Sequence, residues 1–321
     1  MASSALASSR RTPVTTFSDQ LAAAIRSRGN PVMVGLDPRA EQLPPDLLAN
    51  SLLRSPERVA AAYREFCRGI IDVVAPLVPV VKPQAAFFEQ LGPHGMTALA
   101  DVIAYARESG LLVVLDGKRN DIGDTAIAYA EAYLGPQSVW KSDALTVSPY
   151  LGADSLEPFL KVIDQRGGGV FVLVKTSNPG GGMLQDVTAD GSTIYRRVAE
   201  YVEQAASARL GKCGYGSVGA VVGATYPEQL VELRNAMPHA WLLVPGFGTQ
   251  GGTARDVVAA FDSQGLGAVI NNSRGIIFAH ARREYSSRFG PGRWLEAVEA
   301  ATLDMIAQLK AELPSISPDA A

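Results

Sequence analysis

Residues 111–125, LLVVLDGKRNDIGDT, pass within a few positions from an apolar run into a cluster of charge. Leu111 to Leu115 is short, apolar and halted by an acid, the pattern of a buried parallel strand whose end reaches a functional surface. Asp116, Lys118, Arg119 and Asp121 then crowd the next six positions. Side chains alternate faces along a strand, so Asp116 and Lys118 are expected to point the same way and Gly117 the other. Asp121 falls just past the strand, near a helix expected from Ile122 onward, where unpaired N–H groups favour a carboxylate. Acid and ammonium at the mouth of an apolar strand are costly unless paired or put to chemical use. An isolated Asp-x-Lys would be read as a structural ion pair. The rest of the chain argues for more.

Outward from this stretch the same unit repeats. A helix from Phe17 to Arg28 precedes a strand at Val32–Leu36, which ends in Asp37-Pro38. A helix from Pro56, a favourable first position, to about Val74 leads to a short strand near Pro79–Val81 that delivers Lys82. A helix spans Gly92–Ser109, and another follows the opening strand to about Tyr133. Further strands are expected at Ala144–Val147, Gly169–Val174, Val218–Val222, Trp241–Val244 and Ala268–Ile270. Helical patterns follow them at about 153–164, 192–208, 227–236 and 253–263, then from Gly275 and over 291–313. Eight βα units in 321 residues, with no linker or shift in composition, predict a single-domain (β/α)8 TIM barrel over residues 17–313. Residues 1–16 are Ser/Thr-rich and hold no acid, and are expected to be a disordered tail, with a second tail at 314–321.

Composition narrows the partners. The formal net charge is −3 and no dense Lys/Arg block occurs, so a nucleic-acid surface is not indicated. Cys67 and Cys213 are the only cysteines; they lack metal or redox spacing and read as idle thiols. His94, His239 and His280 show no ligand spacing, so no metal site is expected. The apolar stretch 69–81 is interrupted by Asp72, Pro76 and Pro79, and is too short to span a bilayer. Arg10 and Arg11 are not followed by the apolar segment of a targeting peptide. A cytoplasmic protein with no membrane partner is expected.

In barrels of this class the active site lies at the C-terminal strand ends. Here those ends carry Asp37, Lys82, Asp116 with Lys118, Ser177, the 246–252 loop, and Ser273-Arg274-Gly275. A core role does not explain such convergence of polar groups above apolar strands. The loop GFGTQGG at 246–252 matches GxGxxG, but it follows the seventh strand rather than opening an early βαβ unit, so no dinucleotide site is inferred. Its glycines still let backbone N–H groups approach an anion. Loops after the seventh and eighth strands are where these barrels hold phosphate, and Arg274 adds a planar, permanently charged fork.

Taken together, these motifs resemble the orotidine 5′-phosphate decarboxylase family. DGKRNDIGDT fits that family's D-x-K-x-x-D-I-x-x-T signature, and VGLDP, VVKP, TSNPG, PGFGTQGG and NNSRGI follow in the expected order. The likeness covers about residues 17–312 and is nearest to the longer bacterial-type branch. It implies conversion of orotidine 5′-monophosphate to UMP and carbon dioxide without metal or organic cofactor. By that resemblance Lys82, Asp116, Lys118 and Asp121 form an alternating charge array, with Lys118 donating the proton to C6 of the pyrimidine. Asp116 would crowd the departing carboxylate, while Lys82 and Asp37 would hold ribose hydroxyls. Ser177 would meet the pyrimidine edge, and Gln250, Arg274 and the Gly275 backbone would hold the phosphate. Asp121 and Thr125 would reach into the neighbouring subunit's site, which implies a homodimer.

Two other readings compete. Sugar-phosphate decarboxylases and aldolases of the same suprafamily share D-x-K-x-x-D but use Mg²⁺, and they carry an acid where this chain has Lys82, whose ammonium would repel a divalent cation. A silent barrel that only binds nucleotide or a partner is the other, and the presence of all four array charges gives no reason to prefer it.

Overall fold

The computed structural model describes residues 15–47, 55–248, 251–290 and 292–316. Eight parallel strands close into one barrel: β1 (Val32–Leu36), β2 (Val80–Pro83), β3 (Leu112–Arg119), β4 (Ala144–Val147), β5 (Gly169–Lys175), β6 (Gly216–Val222), β7 (Ala240–Pro245) and β8 (Ala268–Asn272). β1 pairs with both β2 and β8, which leaves the sheet without an edge. The predicted single-domain TIM barrel is therefore what the chain forms. Of the two expected tails, only residues 15–16 and 314–316 fall among those described.

Local chemistry sets the helix limits. Gly29 adopts φ +64° and accepts the turn that ends the helix Phe17–Arg28. Ser55 caps the helix Pro56–Val74 by accepting the Arg58 N–H at 3.3 Å, with Pro56 in the first turn. The helix expected from Ile122 begins at Gly123 and runs to Leu134. The pattern over 253–263 resolves into a four-residue helix, Ala254–Val257, and a 3₁₀ turn, Val258–Ala260. The closing region holds Arg274–Ile277, Arg283–Phe289 and Trp294–Glu312. Among the described residues, no helix is long and apolar enough to cross a membrane.

The barrel interior positions the site. Met33, Val80, Val114, Ala144, Phe171, Leu243 and Val269 pack with Phe17, Leu21 and Ile25 of the first helix, which closes the lower mouth. Gly169, at the start of β5, touches the Phe17 ring so closely that a Cβ there would lie 2.3 Å from it. Two residues further along five of these strands, the same inward face carries Lys82 after Val80, Asp116 after Val114, Thr146 after Ala144, Leu173 after Phe171 and Asn271 after Val269. The upper layer thus changes from apolar to charged on one side of the barrel only.

Candidate active site

Asp116 is the centre of the upper layer. Its Oδ2 accepts from Lys82 Nζ at 2.8 Å and Gln84 Nε2 at 2.9 Å, while its Oδ1 accepts from Lys118 Nζ at 2.6 Å and Thr146 Oγ1 at 2.8 Å. Two ammonium groups and two neutral donors therefore saturate one buried carboxylate. Burial by itself pushes the Asp116 carboxyl up, but Lys82 and Lys118 outweigh it and hold the group well below the usual carboxylate range. Lys82 is buried too. Desolvation alone would lower its ammonium, yet Asp116 and Asp37 raise it above the ordinary lysine value.

Asp116 and Lys118 do meet, but not by simple strand alternation. β3 and β4 pair in register through Leu115 and Leu145, slip, and resume at Arg119 and Val147. Lys118 within this slip adopts φ +46°, a left-handed conformation that costs a residue with a side chain about 1–2 kcal/mol. The turn brings its ammonium back over Asp116 and leaves the side chain 47% exposed, open to an incoming molecule.

Asp37 ends β1 beside this array. Desolvation raises its carboxyl above the ordinary aspartate value against the pull of Lys82, and its Oδ1 is buried with no described partner. Gly35 makes room beneath it: a Cβ there would sit 1.9 Å from Ser273 Oγ.

A cavity of about 440 Å³ opens above the array. Lys82, Asp116, Lys118 and Thr146 form one wall, and Leu173, Val221 and Leu243 form an apolar wall from β5, β6 and β7. Ser177 lines the cavity with Thr176 and Gln185. The rim is tied down from below. Buried Lys175 pairs with Asp186 among the Tyr195 and Tyr226 rings, and Gln185 bonds both the backbone and the hydroxyl of Thr176.

The remaining expected residues lie apart from this core. Asp121 is half-buried and accepts the Ile122 N–H at 2.8 Å; it joins no ion pair among the described residues. Thr125 is exposed on the helix Gly123–Leu134, near exposed Ile122 and Ile127. Arg274 is exposed at the end of β8, while Gly275 is buried and its N–H donates to Asn272 Oδ1 at 3.1 Å. Gln250 lies outside the described residues. The loop before it turns on Gly248, at φ +72°, whose N–H donates to Gly252 O at 2.8 Å. Cys67 is buried and Cys213 half-buried; both are free thiols.

The strand-end pattern of the sequence does not single out Gln84, Thr146 or the apolar wall. Thr146 carried a signal, since it is the one polar residue in an otherwise apolar four-residue strand, two positions beyond an inward-facing alanine.

A closed (β/α)8 barrel with interleaved ammonium and carboxylate groups at its C-terminal mouth defines a barrel enzyme of the class that works on small polar substrates from its strand ends. Residues 30–289 match the model of the orotidine 5′-phosphate decarboxylase / HUMPS family. Orotidine 5′-phosphate decarboxylase of Rhodopirellula baltica is 62% identical, covering 92% of this chain and 99% of that relative. The protein of the same name from Caldicellulosiruptor saccharolyticus is 38% identical, over 89% of this chain and 98% of its own length. Among solved structures, Leishmania donovani OMP decarboxylase superposes with a TM-score of 0.71 at 34% identity, covering 93% of this chain and 98% of that one. The chain belongs to the orotidine 5′-phosphate decarboxylase / HUMPS family and is a carboxy-lyase.

Proposed function

We propose that this carboxy-lyase decarboxylates orotidine 5′-monophosphate to UMP in pyrimidine biosynthesis, with no metal or organic cofactor, as a cytoplasmic homodimer. The observation that carries the reading is the Lys82–Asp116–Lys118 array facing an apolar wall across one cavity. The pyrimidine lies between the two walls with its carboxylate toward Asp116. As the C6–carboxylate bond breaks, carbon dioxide departs and the electron pair stays on C6. Lys118 Nζ transfers a proton to C6, and solvent restores the proton to Lys118.

Physical chemistry supports that division of labour. At an effective dielectric of 20, unit charges 4 Å apart interact by about 4 kcal/mol, enough for alternation to hold charges that would otherwise neutralise. An ammonium fixed at C6 gains most when carbanionic charge develops, which stabilises the transition state over the ground state. Asp37 and Lys82 bind ribose hydroxyls, Ser177 the pyrimidine edge, and Arg274, Gly275 and Gln250 the phosphate. Asp121 and Thr125 serve the neighbouring site, which fits the lack of any described contact between Asp121 and the array in its own chain. The Lys82 ammonium disfavours a divalent cation at the array.

The test is the loss of pyrimidine absorbance when purified protein meets orotidine 5′-monophosphate, with and without EDTA. Turnover indifferent to EDTA is expected. Binding without turnover, or turnover only of a keto-sugar phosphate in an EDTA-sensitive manner, would overturn the reading.

A further inference from the structure

Between the paired residues Leu115/Leu145 and Arg119/Val147, three residues of β3 (Asp116, Gly117 and Lys118) stand opposite a single residue of β4, Thr146. A bulge of that kind strands backbone groups that a regular ladder would pair. Thr146 takes up the deficit with its side chain. Its Oγ1 accepts the Lys118 N–H at 2.9 Å and donates its own proton to Asp116 Oδ1 at 2.8 Å. The residue is 2% exposed although it lines the cavity, so protein groups rather than solvent hold both bonds. One hydroxyl thus fastens the left-handed backbone of the proton donor to the carboxylate that the donor's own ammonium contacts.

We propose that Thr146 is a positioning residue that fixes the Lys118 ammonium relative to Asp116 through this double hydrogen bond. The assignment rests on the decarboxylase reading above and deepens it. A valine keeps the shape and the β-branch but offers neither acceptor nor donor, so the Lys118 N–H and Asp116 Oδ1 each lose a partner. A serine keeps both bonds. Because the hydroxyl acts through Lys118, its loss weakens stabilisation of charge at C6 and leaves binding of the nucleotide body alone.

The experiment compares wild type, Thr146→Val and Thr146→Ser in steady-state decarboxylation. Binding of UMP and of 6-hydroxyuridine 5′-monophosphate, which carries an oxyanion at C6, is measured alongside. Thr146→Val is expected to lower kcat about 10- to 100-fold with KM within about threefold of wild type, and Thr146→Ser to stay within about threefold on both. Affinity for the oxyanion analogue should fall in Thr146→Val by a factor similar to that in kcat, while affinity for UMP holds. Wild-type kcat in a folded Thr146→Val, equal impairment of the serine variant, or equal loss of affinity for both nucleotides would overturn the assignment. Should Thr146→Val fail to fold, Thr146→Ala takes its place; failure of both hydroxyl-free variants to fold makes the role structural and overturns the proposal. Wild-type protein inert toward orotidine 5′-monophosphate overturns the underlying reading, and this assignment with it.

Discussion

The Lys82 ammonium lies 2.8 Å from Asp116 Oδ2, and both side chains are more than nine-tenths buried. Lys118 contacts the other oxygen of the same carboxylate with almost half of its side chain exposed. Two lysines on one acid therefore have different tasks. Removing a partner from a buried pair leaves an uncompensated charge in a low-dielectric site, which typically costs about 3–5 kcal/mol. Lys82→Ala is expected to lose that much unfolding free energy. Lys118→Ala is expected to lose less than about 1 kcal/mol, as for exposed pairs, and yet to lower kcat at least about 10³-fold. Urea unfolding beside turnover measures both. Equal destabilisation by the two substitutions would undo this division.

The array also sets a pH window. Asp116 has a folded-state pKa below its unfolded value of 3.8, so its contribution to stability is complete above that value and is lost as pH falls through the lower folded one. Lys82 is raised above 10.5; its contribution is complete below that and is lost only as pH climbs past the raised folded value. The stability gap between wild type and Lys82→Ala should therefore be widest between about pH 7 and 9 and narrow as pH falls, because Asp116 and Asp37, without the Lys82 ammonium, take up protons at higher pH in the variant than in wild type. Asp37 has the opposite sign. Its raised pKa means that ionising it costs stability above pH 3.8, so Asp37→Asn should melt higher than wild type at pH 7 and lose that advantage toward pH 4. Substrate binding by Asp37→Asn should weaken at the same time if the carboxylate holds a ribose hydroxyl.

Which parts of this were legible in the chain has a physical basis. β1 and β4 coincide with the expected Val32–Leu36 and Ala144–Val147, because a buried parallel strand is an apolar run that stops where it meets solvent. β2 was expected to stop at Val81, yet it includes Lys82 and Pro83; a buried lysine looks like a strand end until its carboxylate partner is known. The bulge in β3 was hidden for a similar reason. Alternation placed Asp116 and Lys118 on one face, whereas the left-handed turn at Lys118 depends on a hydroxyl 28 residues away. Gln84 was equally silent, since a glutamine after a strand reads as surface until a buried acid is set 2.9 Å from it. The short helix Gly182–Gln185 and the hairpin of Thr188–Ala189 with Ser192–Thr193 are too brief to leave a periodic pattern.

Arg274 is exposed at the end of β8 and forms no ion pair with any described residue, so its guanidinium is open to a ligand. Arg274→Ala should raise KM for orotidine 5′-monophosphate about 10- to 100-fold, as expected for losing a charge-assisted hydrogen bond worth about 1.5–3 kcal/mol. The effect should be absent with orotidine, which lacks the phosphate. An equal loss with nucleotide and nucleoside would remove Arg274 from the phosphate site.

Asp121 and Thr125 offer the sharpest test of assembly. Among the described residues of its own chain Asp121 holds only the Ile122 N–H, and Thr125 is exposed on the helix that follows, near Ile122, which is 56% exposed, and Ile127, which is 48% exposed. A polar pair near exposed apolar residues, apart from the cavity of its own chain, fits a surface that a second copy covers. Sites that borrow Asp121 across the interface predict complementation. Lys118→Ala and Asp121→Ala homodimers should both be inactive. In a mixed dimer, one site would combine the Lys118 of one chain with the Asp121 of the other, and the second site would carry both defects. Each mixed dimer should therefore regain about half of the wild-type activity, and an equal, randomly paired mixture of co-refolded or co-expressed chains about a quarter. Titrating one variant against the other should give a maximum near equal amounts. A flat titration at background activity would show that each chain builds its site alone, with Asp121 serving only to start its helix.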